Sequence, residues 1–371
     1  ACAGIEVTAS HNPINYNGMK IVKSHSRPLD DAGDFQMIKA LAGSKELLSV
    51  VGTGKELDRS DEARKAYVDR VLSFVDVKAL QPLKIVVNSG NGAAGPTFDA
   101  LAKRLMELGA PLEFIRVHHA PDATFPNGIP NPLLPENHSA TADVIKAENA
   151  NFGVAFDGDF DRCFFFDESC QFVAGEYVVG LLASIFLEKE AGAKIVHDPR
   201  VIWNTRDIVE HKGGIAVQSK TGHAFIKQTM RSNKAVYGGE MSAHHYFRDF
   251  AYCDSGMIPW LLIAELVSRS ERSLGNWVKD RFAAFPSSGE MNFTVADSGK
   301  EIESVLAAHR ADARSIDETD GVSLAFDDWR FNLRRSNTEP LVRLNVEGNC
   351  SADTLAAHVS AIVDLLGGTR A

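Results

Sequence analysis

The sequence predicts a multidomain α/β protein with two α/β units in its middle and a smaller α+β domain at its C-terminal end. The chain has 371 residues, which exceeds the size at which one hydrophobic core usually stops growing. Apolar runs of strand length alternate with helical patterns through the middle of the chain. After a linker-like segment at 285–289, the order of strands and helices changes.

The N-terminal segment, predicted as a domain at 1–60, contains only part of a domain. Short strands are expected at 5–7 and 19–22, and a helical pattern at 30–42 follows them. The chain enters a polar loop within its first ten residues, and nothing longer than the short segment 5–7 precedes that loop to support it. We therefore expect the chain to begin inside a domain.

The second domain is predicted at 61–168. Its elements, in chain order, are a helix at 61–75, a strand at 83–88, a helix at 96–108, a strand at 112–117, a helix at 136–149 and a strand at 152–156. The strands on either side of the second helix form a βαβ unit, which implies parallel pairing in a covered sheet. The last strand delivers the polar segment 157–162, and open α/β sheets bind ligands at the carboxyl ends of their strands.

The third and fourth domains are predicted at 169–284 and 285–371. The third contains helices at 176–189, within 203–217 and at 224–232, and strands at 194–197, within 203–217 and at 235–237. The fourth contains strands at 291–295, 322–326 and 341–347, and helices at 300–311 and 352–366. This last arrangement predicts a small α+β domain.

Composition excludes several classes of protein. A formal net charge of −10 argues against a nucleic-acid partner, because such binding rests on neutralising phosphates with Lys and Arg. Five cysteines without a Cys-x-x-Cys pair indicate neither a disulfide framework nor a zinc site, and favour the reducing cytoplasm. No apolar run is long enough to predict a membrane span. We expect a monomer or a weak homodimer.

Two separated motifs suggest one phosphoryl-transfer site. Ser10 stands in the loop 8–13, whose sequence is TASHNP, and three aspartates stand in 157–162, whose sequence is DGDFDR. A serine hydroxyl is a weak nucleophile, so as a phosphate carrier it needs a cation, a nearby base and backbone donors. Lys20, which follows a turn at Gly18, could return to the same loop as an acid or base. Without that context, Ser10 is a turn serine and Lys20 a surface lysine.

The aspartates Asp157, Asp159 and Asp161 predict a cation site. They alternate along the chain, which in an extended segment directs their side chains to one side. Carboxylates so close together repel one another unless a hard cation such as magnesium (Mg²⁺) lies among them. The alternative is a solvated acidic loop, but strongly apolar runs at 152–156 and 163–166 flank the segment and favour a site between buried elements.

Two further loops carry polar groups suited to a phosphorylated sugar. The loop 238–245, whose sequence is GGEMSAHH, offers a carboxylate, a hydroxyl and imidazoles for sugar hydroxyls; the alternative is an ordinary loop. The turn 334–340, whose sequence is RRSNTEP, combines guanidinium, hydroxyl and amide donors that can hold a phosphate dianion. Here the alternative is an exposed basic turn. The segment 220–223, whose sequence is KTGH, is a weaker signal.

These motifs resemble, in the same order along the chain, those of the α-D-phosphohexomutases, the phosphomannomutase and phosphoglucomutase group. The resemblance covers essentially all 371 residues. It implies three related α/β domains, of which the first is incomplete here, and a smaller C-terminal α+β domain, all around a central cleft. It also implies catalytic residues Ser10, Lys20, His244 and His11, Mg²⁺ ligands Ser10, Asp157, Asp159 and Asp161, and substrate-binding residues Arg162, Arg200, His223, Glu240, Ser242, His244, Arg334, Ser336, Asn337 and Thr338.

The resemblance further implies a reaction. A phosphoserine at Ser10 would donate its phosphate to a hexose 1- or 6-phosphate, giving a hexose 1,6-bisphosphate that turns over in the cleft and returns its other phosphate to Ser10. We expect a phosphosugar substrate, mannose phosphate first and glucose phosphate second. Met241 in the loop 238–245 favours the hexose branch over the phosphoglucosamine branch, which tends to carry glutamine there.

Three alternatives stay open at this point. They are a phosphoglucosamine mutase, a non-catalytic phosphosugar-binding fragment, and a phosphatase, although a phosphatase would leave Ser10 and the loop 238–245 without a role. The family's first domain is longer and contains a glycine-arginine motif, whose arginine reaches the active site and is absent here. If the sheet of the first domain lacks its first strands, it exposes an unpaired edge and an apolar face. We therefore expect either a truncated sequence or a fragment with impaired activity.

Overall fold

The structure, a computed structural model, describes residues 2–30, 32–44, 52, 54–336 and 341–370. Within those residues the strands form four separate sheets, one for each predicted domain. The predicted multidomain α/β architecture is therefore confirmed. No helix of the described part is long and apolar enough to cross a lipid bilayer.

The first unit is a three-stranded antiparallel sheet with one helix. Its elements are β1 (Ala3–Val7), β2 (Met19–Lys23), β3 (Arg27–Pro28) and α1 (Asp34–Gly43). Strands β1 and β2 pair so that Val7 lies opposite Met19, which closes the loop 8–18 at both of its ends. Ile5, Val7 and Met19 are largely exposed, so this sheet has an uncovered apolar face.

The second unit is a five-stranded sheet with helices on both faces. Its elements are α2 (Ser60–Leu72), β4 (Leu83–Asn88), α3 (Ala94–Glu107), β5 (Leu112–Val117), α4 (Ser139–Glu148), β6 (Phe152–Phe156), β7 (Cys163–Phe166) and β8 (Phe172–Val173). The strand order is β5-β4-β6-β7-β8, and β4 is parallel to both of its neighbours, as the βαβ prediction requires. Ile85 and Val87 share a core with Phe98 of α3, whereas Val86 packs with Ile145 of α4. Burial of β4 on both faces explains its continuous apolar sequence.

The third unit is a second five-stranded sheet, in the order β10-β9-β11-β12-β13. Its elements are α5 (Gly175–Lys189), β9 (Lys194–His197), α6 (Trp203–His211), β10 (Ile215–Gln218), α7 (His223–Asn233), β11 (Tyr237–Gly239), β12 (His245–Phe247), β13 (Cys253–Asp254), α8 (Met257–Ser270) and α9 (Leu274–Ala284). The first three strands of that order are parallel, and the last two are antiparallel to their neighbours. The strand predicted at 235–237 lies at Tyr237–Gly239, so Gly238 and Gly239, predicted as the start of the polar loop, are part of the strand.

Helix α8 joins the second and third units through one shared hydrophobic core. Its Trp260 is buried and contacts the rings of Phe98 and Phe114 in the second unit, with centroids 5.7 and 5.8 Å apart. Apolar side chains surround α8 instead of forming one stripe, so it lacks the periodicity by which amphipathic helices are predicted. The shared core fixes the loop after β6 beside the loop after β11.

The fourth unit is a six-stranded sheet with two helices on one face. Its elements are β14 (Ser287–Thr294), α10 (Ser298–His309), β15 (Ser315–Asp317), β16 (Val322–Ala325), β17 (Trp329–Arg335), β18 (Leu341–Gly348), α11 (Ala352–Leu366) and β19 (Thr369–Arg370). Along β17, Trp329, Phe331 and Leu333 enter the helix-covered core, while Arg330 between them contacts the third unit. Alternation of this kind is typical of a strand with two different faces.

Two predicted features of the fourth unit are wrong. The turn predicted from Arg334 onward begins later, because Arg334 and Arg335 continue β17 and pair with β18. The linker predicted at 285–289 is partly strand, since β14 begins at Ser287 and pairs with β18 across a register shift. In both places, pairing with a neighbouring strand outweighs the polar local sequence.

A buried ion pair joins the third and fourth units. Arg330 Nη1 donates a hydrogen bond to Glu347 Oε1 at 2.6 Å, and the side chains of both residues are at most 2% exposed. The same guanidinium donates to the backbone carbonyls of Pro199 and Arg200. Glu347 also accepts hydrogen bonds from the amides that precede and begin α6, each at 2.8 Å. A carboxylate at a helix N-terminus is favoured electrostatically, so Glu347 both pairs with Arg330 and caps α6.

Candidate active site

Ser10 lies in the loop between β1 and β2 and contacts Asp157, the first of the three clustered aspartates in the second unit. Its Oγ donates a hydrogen bond to Asp157 Oδ2 at 3.1 Å, although 147 positions separate the two residues. Thr8 Oγ1 donates to Asp159 Oδ2 at 2.8 Å and accepts a hydrogen bond from Ser10 N at 2.9 Å. Ser10 has a φ of 51°, a left-handed conformation that costs a non-glycine residue roughly 1 to 2 kcal/mol. Contacts to the aspartate segment hold this loop in place.

Gly158 allows the two backbones to approach each other. A Cβ on Gly158 would lie 2.1 Å from the carbonyl oxygen of Ser10, a separation that real side chains do not reach. On its other side, Gly158 O accepts a hydrogen bond from Ala93 N at 2.9 Å. The glycine-rich turn between β4 and α3 therefore supports the aspartate segment from behind, while Ser10 contacts it from in front.

The three aspartates form a compact acidic cluster. Asp157, Asp159 and Asp161 each offer a carboxylate oxygen, and these oxygens lie within 4.8 Å of one another. Asp159 Oδ1 and Asp161 Oδ1 are buried without a hydrogen-bond partner. Burial raises the pKa of Asp157 above its usual value, although the Arg162 guanidinium opposes the shift. Unpartnered oxygens beside a hydroxyl fit a hard divalent cation, which would favour the ionised carboxylates.

Lys20 contacts the same cluster from the first unit. Its Nζ lies 2.6 Å from Asp161 Oδ2 and 3.1 Å from Asp159 Oδ2. Burial lowers the pKa of Lys20, but the carboxylates of Asp161 and Asp159 outweigh burial and raise the pKa well above its usual range. In this arrangement Lys20 is an ammonium ion at neutral pH. In this form it can donate a proton or stabilise a phosphate.

Arg162 and His11 flank Ser10. Arg162 Nε donates to Asp157 Oδ2 at 2.8 Å, and its Nη2 donates to His11 Nδ1 at 2.5 Å. The same His11 nitrogen lies 2.9 Å from Ser10 Oγ. Burial, together with the positive charge of Arg162, lowers the pKa of His11 to about 4. His11 is therefore neutral at pH 7, and its engaged Nδ1 makes it a poor proton donor for the predicted catalytic role.

The loop after β11 is organised by Glu240. This side chain is buried, and its two oxygens accept hydrogen bonds from Tyr246 OH at 2.6 Å and from Gly222 N at 3.0 Å. Each oxygen keeps a second lone pair for a sugar hydroxyl. Ser242 Oγ accepts a hydrogen bond from Arg200 Nη2 at 3.3 Å. Through its hydrogen bond with Gly222 N, Glu240 thus connects this loop to the segment 220–223, which the sequence indicates only weakly.

His244 lies where this loop meets the aspartate segment. Its backbone pairs with that of Arg162 in an isolated antiparallel bridge. Its Nδ1 lies 3.2 Å from Asp254 Oδ2 and 3.7 Å from Asp161 Oδ1. Burial lowers the pKa of His244, but the hydrogen bond to Asp254 and the charge of Asp161 outweigh burial and raise the pKa above its usual value. His244 therefore suits proton donation to a sugar or phosphate oxygen.

Asp254 is absent from the predicted site. It lies on β13, where its Oδ2 is 3.2 Å from the Nδ1 atoms of both His223 and His244. Lys227 Nζ approaches the other carboxylate oxygen at 3.3 Å. No pattern in the sequence around Asp254 indicates this role, because its partners come from a different helix and a different loop.

Three arginines from two units surround Glu290, another residue absent from the predicted site. Arg200 is buried and pairs with Asp198, its Nη2 lying 2.5 Å from Asp198 Oδ2. Arg200 Nη1 lies 3.4 Å, and Arg334 Nη2 2.8 Å, from Glu290 Oε2. Arg343 Nη1 approaches the other oxygen at 3.3 Å. A phosphate bound to Arg334, as predicted, would compete with this carboxylate.

The remaining predicted phosphate-binding residues follow β17. The backbone N–H of Ser336 donates to Leu341 O at 2.9 Å. Asn337 and Thr338 lie outside the described residues. The structure therefore tests neither of those two predictions.

Comparison with known protein families matches four consecutive stretches of the chain. They are described as Phosphoglucomutase/phosphomannomutase alpha/beta/alpha domains I, II and III and C-terminal domain, and they span residues 1–47, 65–171, 174–285 and 290–365. A phosphomannomutase of Salmonella montevideo is 56% identical over 363 residues, which are 98% of this chain and 80% of that protein. The chain belongs to the phosphoglucomutase/phosphomannomutase family.

Further phosphoglucomutase/phosphomannomutase relatives agree with this assignment. A Xanthomonas campestris protein described as phosphohexose mutases is 54% identical over 368 residues, or 99% of this chain and 81% of that protein. The crystal structure of a phosphoglucomutase/phosphomannomutase family protein from Burkholderia thailandensis superposes with a TM-score of 0.81 at 29% identity, and the match covers 99% of this chain and 78% of that one. The family and the fold predicted from the motifs are confirmed. The roles of individual residues, the domain boundaries and the oligomeric state stay predictions.

Proposed function

We propose that this family member interconverts hexose 6-phosphate and hexose 1-phosphate, with mannose phosphate as its preferred substrate. We also propose that Ser10 carries the transferred phosphate. The observation that carries the second proposal is the 3.1 Å contact between Ser10 Oγ and Asp157, beside two buried carboxylate oxygens without partners. Relatives named phosphomannomutase, at 55% identity and above, favour hexose phosphates over the alternative of a phosphoglucosamine substrate.

The proposed reaction has two phosphoryl transfers. In the first, the bond between phosphorus and Ser10 Oγ breaks, and a bond forms to the free hydroxyl oxygen of a hexose monophosphate, giving a hexose 1,6-bisphosphate. The bisphosphate then turns in the cleft and returns its other phosphoryl group to Ser10 Oγ. In the first transfer the attacking sugar hydroxyl loses a proton and the departing Ser10 Oγ gains one, so that Ser10 becomes a free hydroxyl. In the second transfer Ser10 Oγ loses that proton and the released sugar oxygen gains one. Charge on the moving group faces the ammonium of Lys20, and His244 can carry the proton.

Asp157, Asp159, Asp161 and the oxygen of Ser10 would hold a divalent cation, which we assign as Mg²⁺. When bound, such an ion offsets the negative charge that three carboxylates and a phosphate bring together. The acidic cluster fits this assignment because its oxygens converge and two of them have no hydrogen-bond partner. The chain's own contribution is to hold these carboxylates rigidly between the apolar strands β6 and β7.

Substrate recognition falls to the third and fourth units. Glu240 and Ser242 present oxygen atoms suited to sugar hydroxyls, and Arg334 presents a guanidinium suited to the phosphate that does not react. Because Arg334 pairs with Glu290, binding of that phosphate exchanges one anion for another at the same guanidinium. Before the substrate binds, Glu290 thus keeps the partly buried Arg334 paired with an anion.

The function is tested by following mannose 1-phosphate by ³¹P NMR after adding the purified chain, Mg²⁺ and a trace of hexose 1,6-bisphosphate. We expect mannose 6-phosphate to accumulate, with kcat/KM at least roughly tenfold above that for glucosamine 1-phosphate. Steady release of inorganic phosphate would contradict the proposal and indicate a phosphatase. Saturable binding without any conversion would indicate the non-catalytic phosphosugar-binding alternative.

Metal dependence is a separate prediction. Chelation with EDTA is expected to abolish interconversion, and Mg²⁺ is expected to restore it. In Asp159→Asn, we expect Mg²⁺ affinity to fall by at least roughly tenfold because one anionic ligand is lost. The measurement is the shift of the thermal unfolding midpoint with Mg²⁺ concentration, which needs no catalysis.

The control for Asp159→Asn is Asp99→Asn in the same unit. Asp99 is half exposed and pairs with Arg116 at 2.9 Å, so this variant removes one carboxylate from outside the cluster. It should retain the Mg²⁺ response of the unsubstituted chain. An equal response from both variants would remove Asp159 from the metal site.

A further inference from the structure

We propose that Asp254 is a positioning residue, which holds both His244 and His223 by their Nδ1 atoms and thereby leaves the Nε2 atoms of both rings for the substrate. The inference rests on the proposed function for its catalytic consequence. Its structural part, the hydrogen-bonded state of the two imidazoles, does not depend on that function.

Asp254 accepts hydrogen bonds from both imidazoles. Asp254 is 8% exposed at its side chain, and one oxygen is 3.2 Å from both imidazole Nδ1 atoms. The ammonium of Lys227, 3.3 Å from the other oxygen, favours the ionised carboxylate. An ionised carboxylate can only accept hydrogen bonds. Each Nδ1 must therefore carry a proton, which makes Nε2 the proton acceptor of each ring whenever the ring is neutral.

Asp254 and Asp161 compete as hydrogen-bond partners of His244 Nδ1. Its Nδ1 is also 3.7 Å from Asp161 Oδ1, and that oxygen has no hydrogen-bond partner. Rotation of the imidazole away from Asp254 would bring its N–H to Asp161, a predicted Mg²⁺ ligand. Asp254 therefore keeps the imidazole out of the acidic cluster while holding it beside that cluster.

Asp254 also fixes the orientation of His223 relative to His244. The two imidazole rings lie 4.3 Å apart between centroids, with an angle of 69° between their planes. The ring of Tyr246 lies 5.6 Å from that of His223 and 6.2 Å from that of His244. A carboxylate shared by both rings fixes them as a pair, and β13 holds that carboxylate through the pairing of Asp254 with Tyr246 in β12. The backbone pairing of β12 with β13 thus sets the positions of the His223 and His244 side chains.

The experiment compares Asp254→Asn, Asp254→Glu and the control Asp207→Asn. Asp207 belongs to the same unit and pairs with Arg281 at 2.7 Å and with His211 at 3.1 Å, and it has no ion pair with His223 or His244. We expect Asp254→Asn to lower kcat for mannose 1-phosphate by on the order of 100-fold, within the range of a general acid–base contribution, with KM changed by less than about threefold. Asp254→Glu, which keeps the charge, should recover part of kcat. The control should keep kcat unchanged.

The readout specific to positioning is the ¹⁵N NMR spectrum of the imidazole nitrogens, recorded at a pH where both rings are neutral. In the unsubstituted chain we expect His244 and His223 to be protonated at Nδ1. In Asp254→Asn, the amide N–H₂ can donate to one Nδ1, so at least one ring should change to the Nε2-protonated form.

Each outcome decides the proposal. Protonation at Nε2 of both rings in the unsubstituted chain would overturn it even if no variant folds. Unchanged kcat in Asp254→Asn, with a loss of thermal stability like that of Asp207→Asn, would reduce Asp254 to a structural carboxylate. If the unsubstituted chain shows no interconversion at all, the proposed function fails, and the NMR spectrum still reports on Asp254 independently.

Discussion

Replacing Ser10 with alanine is expected to abolish interconversion of mannose phosphates, with kcat falling by at least on the order of 10³-fold. The variant removes the oxygen that accepts and returns the phosphoryl group, and no other described hydroxyl is within hydrogen-bond reach of Asp157. Binding of the phosphosugar should persist, because the third and fourth units provide the predicted contacts. The measurement is kcat together with mass spectrometry of the peptide that contains Ser10.

In the unsubstituted chain, that peptide should gain one phosphate after incubation with hexose 1,6-bisphosphate and lose it when monophosphate is added. The matched control is Ser24→Ala in the same unit, which removes a hydroxyl that contacts only Arg27 among the described side chains. This control should keep both turnover and the phosphopeptide. Phosphate on another residue, or full turnover by Ser10→Ala, would refute the assigned role.

Replacing Gly158 with alanine is expected to lower kcat by on the order of 100-fold, the size of effect that follows from displacing a reacting group by about 1 Å. The added methyl would lie 2.1 Å from the carbonyl oxygen of Ser10. Because that atom belongs to the backbone, the loop 8–18 as a whole must move away from the aspartate segment. The chemistry of every side chain is kept, so the loss measures geometry alone.

The control for this variant is Gly43→Ala, where an added methyl meets nothing within 4 Å. Both kcat and the rate of Ser10 phosphorylation by hexose 1,6-bisphosphate should fall in Gly158→Ala and stay unchanged in the control. If Gly158→Ala turns over as fast as Gly43→Ala, then the close approach of the two loops is not needed for catalysis.

The sequence predicts those parts of the fold whose pattern is decided locally. Strands β4 and β6 lie at the predicted positions because both faces of these central strands are buried, which forces continuous apolar runs. Helix α8 is not predicted, since its apolar side chains point in every direction and show no stripe. Strand β17 is not predicted either, although it alternates, because the arginine and asparagine on its polar side are buried, Arg330 against the third unit and Asn332 against Asp320 and Ser323 of its own unit.

The candidate site likewise contains some residues that the sequence indicates and others that it does not. Ser10 and Asp157 can be named from the sequence because each stands in a motif whose residue types suit one reaction. Asp254 and Glu290 cannot, since each is a single acidic residue that takes its meaning from partners on other elements. Burial also changes the properties of residues that the sequence does indicate. His11 becomes a neutral acceptor with a pKa of about 4 because it is desolvated beside Arg162.

The pairing of Glu347 with the start of α6 has a consequence for synthesis on the ribosome. The amides of Ile202 and Trp203 receive their acceptor from a side chain that lies 145 and 144 positions later in the chain. Until that strand emerges, the nascent third unit has these amides open to water and Arg330 has no carboxylate to meet. A strand that is translated late, β18, therefore completes the N-terminus of a helix that was translated much earlier.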